Sequence, residues 1–256
     1  MNSFLAFTRK ELIHQLRTGK LVLLGLLFVL FGIMNPAIAK LTPWLLETMA
    51  DSLADSGMIV TDVTVTAMDS WVQFFKNAPM ALIAFVLLES SIFTSEYETG
   101  TLVLSLTKGL ARYKVVLSKA VVLSMLWSLG YWLCFGITYG YNAYFWDNSI
   151  AQNLLLSVIC WWVFGLWVIG LMVLFSVMSK SSGTVLVGTG GVVFGCYLLG
   201  MVPKIKEYLP TSLTDGNSLI CGTAKADAYT APLLLTAAMA AVFATISIPI
   251  FSKKKL

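Results

Sequence analysis

Leu21-Val22-Leu23-Leu24-Gly25-Leu26-Leu27-Phe28-Val29-Leu30-Phe31-Gly32-Ile33-Met34-Asn35-Pro36-Ala37-Ile38-Ala39 runs without a single charge. About 20 apolar residues in an α-helix cross the ~30 Å hydrocarbon core of a bilayer, so this run reads as a membrane span. Five more runs follow, at residues 78–94, 120–144, 150–178, 184–202 and 231–251. The second is interrupted only by Glu89, and the fourth is long enough to tilt. Five glycines weaken the helix signal of the fifth. The chain as a whole is 58% apolar and 12% charged, with a mean hydropathy of +0.83. A soluble domain needs about 25% charged residues to solvate its surface. The expected fold is therefore an all-α polytopic membrane protein with six transmembrane helices. The first run is too long for the apolar part of a signal peptide and reads as a retained span.

Basic residues set the orientation. With the N-terminus inside, the inner segments collect Arg9, Lys10, Arg17, Lys20, Lys108, Arg112, Lys114, Lys119, Lys180, Lys253, Lys254 and Lys255 against three acids, Glu11, Glu96 and Glu98. The outer segments keep the other five basic residues and nine acids. Both termini are thus expected in the cytoplasm, with the protein in the cell membrane and the Lys253-Lys254-Lys255 tail acting as a stop-transfer anchor against membrane lipid rather than as a site for a particular anionic lipid.

Residues 3–18 read as an amphipathic helix lying on the membrane. Phe4, Leu5, Leu12, Ile13 and Leu16 share one half of the helical wheel, and Lys10, Glu11, His14 and Arg17 the other, with Arg9 intruding on the apolar side. The expected external loops are residues 40–77, with a short helix over 44–53, and residues 203–230, with short helices or a re-entrant dip. The acids of the first loop lack the spacing of a calcium loop and read as a solvated surface. Cys134, Cys160, Cys196 and Cys221 form no C-x-x-C pair, and His14 is the lone histidine, so no metal or histidine-based catalytic site is expected.

No G-x-x-x-x-G-K-[ST] phosphate loop, H-E-x-x-H or G-x-S-x-G occurs, so the chain has no visible catalytic residues and no nucleotide site of its own. Gly191 and Gly195 fit small-xxx-small packing and are candidates for a dimer interface. Tyr131 and Trp132 fall deep in the third span, where packing is favoured over lining a cargo path. Glu89 is the one acid within a span. It is expected to snorkel or to pair with a basic residue of the inner surface, since no other span shows a deep partner for a proton relay.

The segment between the second and third spans holds the most information: Ser95-Glu96-Tyr97-Glu98-Thr99-Gly100-Thr101-Leu102-Val103-Leu104-Ser105-Leu106-Thr107-Lys108-Gly109-Leu110-Ala111-Arg112-Tyr113-Lys114, continuing to Lys119. It reads as an acidic turn, a brief apolar helix, a Lys-Gly break and a basic helix start. It resembles the first cytoplasmic loop of ABC-2 type transporter permeases, approximately E-[YF]-E-x-G-T-L, then L-[LST]-x-P-[LI]-S-R, then a lysine. Glu96, Tyr97, Glu98, Gly100, Thr101 and Leu102 match the first part, and Leu106, Thr107, Leu110, Arg112 and Lys119 the rest. Gly109 stands where the family usually has proline, and Ala111 where it has serine.

That resemblance implies one transmembrane domain over residues 1–256, acting as half of a permease dimer made with a second copy or a paralogue. It implies two copies of a separate cytoplasmic ATPase subunit carrying ATP and Mg, and no nucleic-acid partner. ATPase coupling would fall to Glu96, Glu98, Gly100, Thr101, Leu102, Lys108 and Arg112 within a coupling loop at 95–119. Arg9, Lys10 and Glu11 would belong to a connecting helix beside it. The expected activity is export or extraction of an amphiphilic, lipid-like, drug or peptide cargo. The rival expectation is an ATP-independent proton-coupled carrier or membrane scaffold centred on Glu89.

Overall fold

Hydrocarbon leaves a backbone no water to bond, so a spanning chain must satisfy its own peptide groups, and helices do so within each segment. The computed structural model describes residues 3–49, 64–107 and 109–254, and no strand occurs among them. The helices are α1 (Ser3–Arg17), α2 (Lys20–Thr48), α3 (Ala67–Glu89), α4 (Thr94–Glu98), α5 (Thr101–Thr107), α6 (Arg112–Phe145), α7 (Leu154–Met178), α8 (Ser182–Leu199), α9 (Pro203–Lys206), α10 (Gly216–Ile220) and α11 (Thr230–Lys253). Six of them, α2, α3, α6, α7, α8 and α11, are long and apolar enough to cross a membrane. The chain is a multi-pass membrane protein. All six predicted spans are present, the glycine-rich fifth as the unbroken α8.

The helices outrun the apolar stretches. The loop expected over 40–77 is shorter than that, because α2 continues through Pro43 to Thr48 and α3 begins at Ala67. The start of α3 is set by a capping box in which the backbone N–H of Thr66 donates to the Asp69 carboxylate at 2.8 Å. Residues 44–48 of the expected surface helix are the end of α2; residues 50–53, with Asp51, Asp55 and Asp62, lie outside the described residues. Between α8 and α11 the chain forms short helical turns, as expected for 203–230. Leu213, Leu219 and Ile220 are fully buried there, and the Trp161 indole donates to the Thr214 carbonyl at 3.0 Å.

The core lies where α2, α3, α6 and α7 meet. Phe28, Phe85 and Tyr131 surround Trp127, with ring centroids 5.2–5.9 Å away. Gly130 and Gly165 make room for it: a Cβ on Gly130 would meet the Phe28 ring at 2.3 Å, and one on Gly165 the Trp127 ring at 2.2 Å. The Tyr131 hydroxyl donates to the Val158 carbonyl at 3.0 Å, and Trp132 packs edge-on against Tyr131 and Phe135, so these aromatics are packing residues. Polar side chains tie the same helices. The Asn77 amide donates to Asn35 at 2.8 Å, Asn35 to Thr138 at 3.1 Å, and Thr138 to the Gly32 carbonyl at 3.0 Å. Away from water, such interhelical bonds add directional attachment to apolar packing.

Candidate functional site

The acidic motif after α3 folds as helix, glycine, helix. Gly100 (φ +66°) separates α4 from α5, and Gly109 (φ +86°) separates α5 from α6. Both sit in the left-handed region that glycine enters without a steric penalty. Proline is held near φ −65°, so the turn at Gly109 is one that the family's usual proline cannot make. Leu102 is buried while Val103 is exposed on α5. The short helices therefore hold one side against the bundle and turn another outward.

Beneath them lies a largely buried set of charges. Lys119, on the second turn of α6 and 1% exposed, reaches Glu11 of α1 at 2.8 Å, Glu96 of α4 at 3.0 Å and the Ile92 carbonyl at 2.8 Å. Lys10 pairs with Glu11 at 2.9 Å and also with Glu96. Partial burial works against the Lys10 ammonium, but its bonds to Glu96 and Glu11 outweigh this and hold its pKa above the ordinary lysine value. Two lysines and two glutamates thus join α1, α4 and α6. In a low-dielectric setting such pairs persist because each charge would be far costlier alone. Thr8 adds a bond to Ser118 at 3.1 Å, and Lys114 one to Ser3 at 2.6 Å.

The inward face of α1 is consequently not its apolar one. Phe7, Glu11 and Gln15 form the buried stripe, whereas Leu5, Ile13 and Leu16 are exposed. Glu11, grouped by the helical wheel with the polar outer half, is 2% exposed. Gln15 donates to Glu89 at 2.6 Å, and Glu89 is fully buried with its second oxygen unpartnered. Two expectations for Glu89 need correction. It does not snorkel, and among the described residues it makes no ion pair within 4 Å. Its surroundings are also not free of ionisable groups, since Lys20 and Lys119 both act on it electrostatically.

Three further cations at this end cap helices. Lys20 donates to the Leu88 carbonyl at the end of α3 and to Ser91, each at 2.9 Å. Arg112 spans the end of α11, donating to the carbonyls of Phe251, Ser252 and Lys254 at 3.2, 2.9 and 2.7 Å. Lys254 in turn donates to Val177 at 2.9 Å and Ser179 at 2.8 Å, closing α7. Helix C-termini carry unpaired carbonyls and partial negative charge, which cations satisfy. Burial, and after it the charge of Lys180, pushes the Lys254 ammonium down to about 8.

Of the residues singled out from sequence, Lys10, Glu11 and Glu96 come together, with Glu89 adjoining through Gln15. Gly100 makes the turn, Thr101 opens α5 with its hydroxyl 3.0 Å from that of Thr99, and Leu102 belongs to the core. Arg112 stands apart on the end of α11, and Arg9 is exposed. Lys108 and the side chain of Glu98 lie outside the described residues. Gly191 and Gly195 are on α8, with no atom within 4 Å of a Cβ at either. Sequence reasoning missed Gln15, and used Lys20 and Lys119 only in the charge count and, for Lys119, as a motif match. A lysine set between Val115-Val116 and Val121-Val122 at helical spacing is the signal that a buried cation leaves. Among the described residues no three His, Cys, Asp or Glu side chains are grouped to hold a metal ion.

No curated protein matches the chain. The family model described as ABC-2 family transporter protein matches residues 5–256, which takes in α1, the α4–α5 loop and all six spans. A match over nearly the whole length covers the membrane domain rather than one loop, and the chain belongs to the ABC-2 family of transporter proteins.

Proposed function

We propose that this chain is the permease subunit of an ATP-driven transporter, with its basic end in the cytoplasm and a separate ATPase subunit docked on α1, α4 and α5. The observation that carries this is the charged joint of buried Glu11, Glu96 and Lys119 with half-exposed Lys10. Through it, a push on the small outward surface of α5 reaches α1 and the root of α6 together. The exposed apolar residues Leu5, Ile13 and Leu16 suit α1 to the headgroup boundary, as a connecting helix beside the coupling loop. Closure of two ATPase copies would then shift a permease pair between two states, by as much as their affinities for those states differ. The pair is a second copy or a paralogue, and the face of α8 bearing Gly191 and Gly195 suits it. Spans almost free of charge favour an amphiphilic, lipid-like or peptide cargo for export or extraction.

Val103→Asp tests the docking without touching the joint, because Val103 is 45% exposed. A Walker-containing ATPase is expected to co-purify in near-stoichiometric amount with the unaltered chain. The aspartate should cut recovery roughly tenfold or more, the cost of losing an interface anchor worth ~2 kcal/mol, with thermal unfolding unchanged. A chain recovered alone, stable and without ATPase activity, overturns the reading.

One observation keeps the carrier reading distinct: the buried Glu89 with a free oxygen beside Lys20 and Lys119. Glu89→Gln decides between the two. In a permease the amide fills the same space and its oxygen still accepts from Gln15, so transport in reconstituted vesicles stays within roughly twofold. Loss of transport with ATPase docking intact would make Glu89 the chemical centre.

A further inference from the structure

A groove of about 600 Å³ opens on the side of the bundle between α6, α7 and α11. Its floor is Ile169 and Val173 of α7, and its walls include Val121 and Met125 of α6 and Ala241 and Ala244 of α11. The alanines create it. Gly170 lets α11 come against α7, where a Cβ would meet the Ala240 carbonyl at 3.2 Å, while small side chains leave the space toward α6 unfilled. From Leu117 to Leu129 the α6 wall rises roughly 18 Å at 1.5 Å per residue. One leaflet of a ~30 Å hydrocarbon core has a thickness of ~15 Å. At its deep end the groove is bounded by Trp162, whose indole donates to Ser128 at 3.0 Å.

The end of the groove nearest the helix ends is basic. Lys114 lies one turn before Leu117 on the face that carries Val121, Ser124 and Ser128. The three helix ends converge there, because Arg112 caps α11 and Lys254 caps α7. Lys180 and Lys253 are exposed at the same junction, and α6, α7 and α11 contain no aspartate or glutamate at all. We propose that this groove is a binding site for an anionic phospholipid of the leaflet at the basic end, one acyl chain lying along α6, α7 and α11 and the headgroup meeting Lys114, Lys180 and Lys253. Burial, and after it the charge of Lys180, lowers the pKa of Lys254, and a bound headgroup anion would oppose the second of these.

The test is lipid retention by the full chain in mild detergent, read by native mass spectrometry with phosphatidylglycerol and phosphatidylcholine of identical chains as probes. The unaltered protein should retain phosphatidylglycerol preferentially. Lys114→Gln, Lys180→Gln and Lys253→Gln together should reduce that preference at least roughly tenfold, since each lysine near an anionic surface contributes measurably to attraction. Ala241→Trp should fill the groove and lower retention of both lipids; if it fails to fold, Ala244→Leu makes the same test with less added volume. Equal retention of the two lipids, or retention unmoved by either groove filling, overturns the proposal. So does a disulfide between copies through Met125→Cys, because the occupant is then a second chain. The readout needs neither ATP nor cargo, so its failure leaves the permease reading standing, and failure of that reading leaves this one.

Discussion

Lys119→Met will destabilise the folded protein by about 3–5 kcal/mol, the penalty for removing one partner from a buried ion pair. The substitution keeps the length and apolar stem of the side chain, so little of the loss is packing. Glu11 and Glu96, 2% and 9% exposed, would be left facing each other with only the half-exposed Lys10 between them. The Ile92 carbonyl would lose its donor as well. Thermal unfolding in detergent, followed by size-exclusion retention, measures the effect. Lys119→Met combined with Glu11→Gln and Glu96→Gln should recover most of the stability, because neutral groups of the same shape carry no desolvation debt. Non-additivity of this kind is what distinguishes a coupled cluster from separate contacts. If Lys119→Met unfolds like the unaltered chain, the cluster is solvated and α1 is not fastened through it. If the triple variant is stable yet its ATPase is uncoupled from transport, the charges carry the conformational signal rather than the fold.

The spans were legible because hydrocarbon thickness imposes a length that apolar runs report directly. Helix ends were not, since hydropathy reports the lipid boundary and not the backbone. α3 starts at Ala67 because of the Thr66–Asp69 cap, a pattern visible in sequence but easily passed over in a polar stretch. α6 starts at Arg112, so Lys119 falls inside a helix and not in a loop. The helical wheel gave no indication that the inward stripe of α1 is Phe7, Glu11 and Gln15, which runs along the seam between its two halves, while Lys10, His14 and Arg17 stay exposed. That depends on a partner 108 residues away, and no local period encodes it. The positive-inside count identified the basic end of the molecule as a distribution. In the structure several of those cations have particular duties, with Lys20, Arg112 and Lys254 each closing the end of another helix. The charge bias from which an orientation was expected thus also supplies caps where α3, α7 and α11 end.

Arg112→Glu is expected to cost about 2–3 kcal/mol, from lost charge-assisted bonds and a carboxylate placed against the negative end of α11. Three carbonyls lose their donor at once, and Lys254, held over the Tyr97 ring at 4.1 Å, is displaced with the helix end it follows. The resemblance alone would make Arg112 an ATPase-coupling residue, and under the proposed function the variant should lose its ATPase. The loss would come from loosening α11 against α6, however, so unfolding temperature and docking should fall together. Val103→Asp should separate them, with docking lost and stability kept. Arg112→Lys discriminates further. All three bonds leave one nitrogen, Nη1, with two N–H groups, whereas an ammonium carries three, so the lysine should recover roughly half or more of the stability at unchanged charge. If Arg112→Glu abolishes docking while α11 unfolds no earlier, the guanidinium meets the ATPase directly in the assembled transporter, and its contacts with Phe251, Ser252 and Lys254 belong to the uncoupled state.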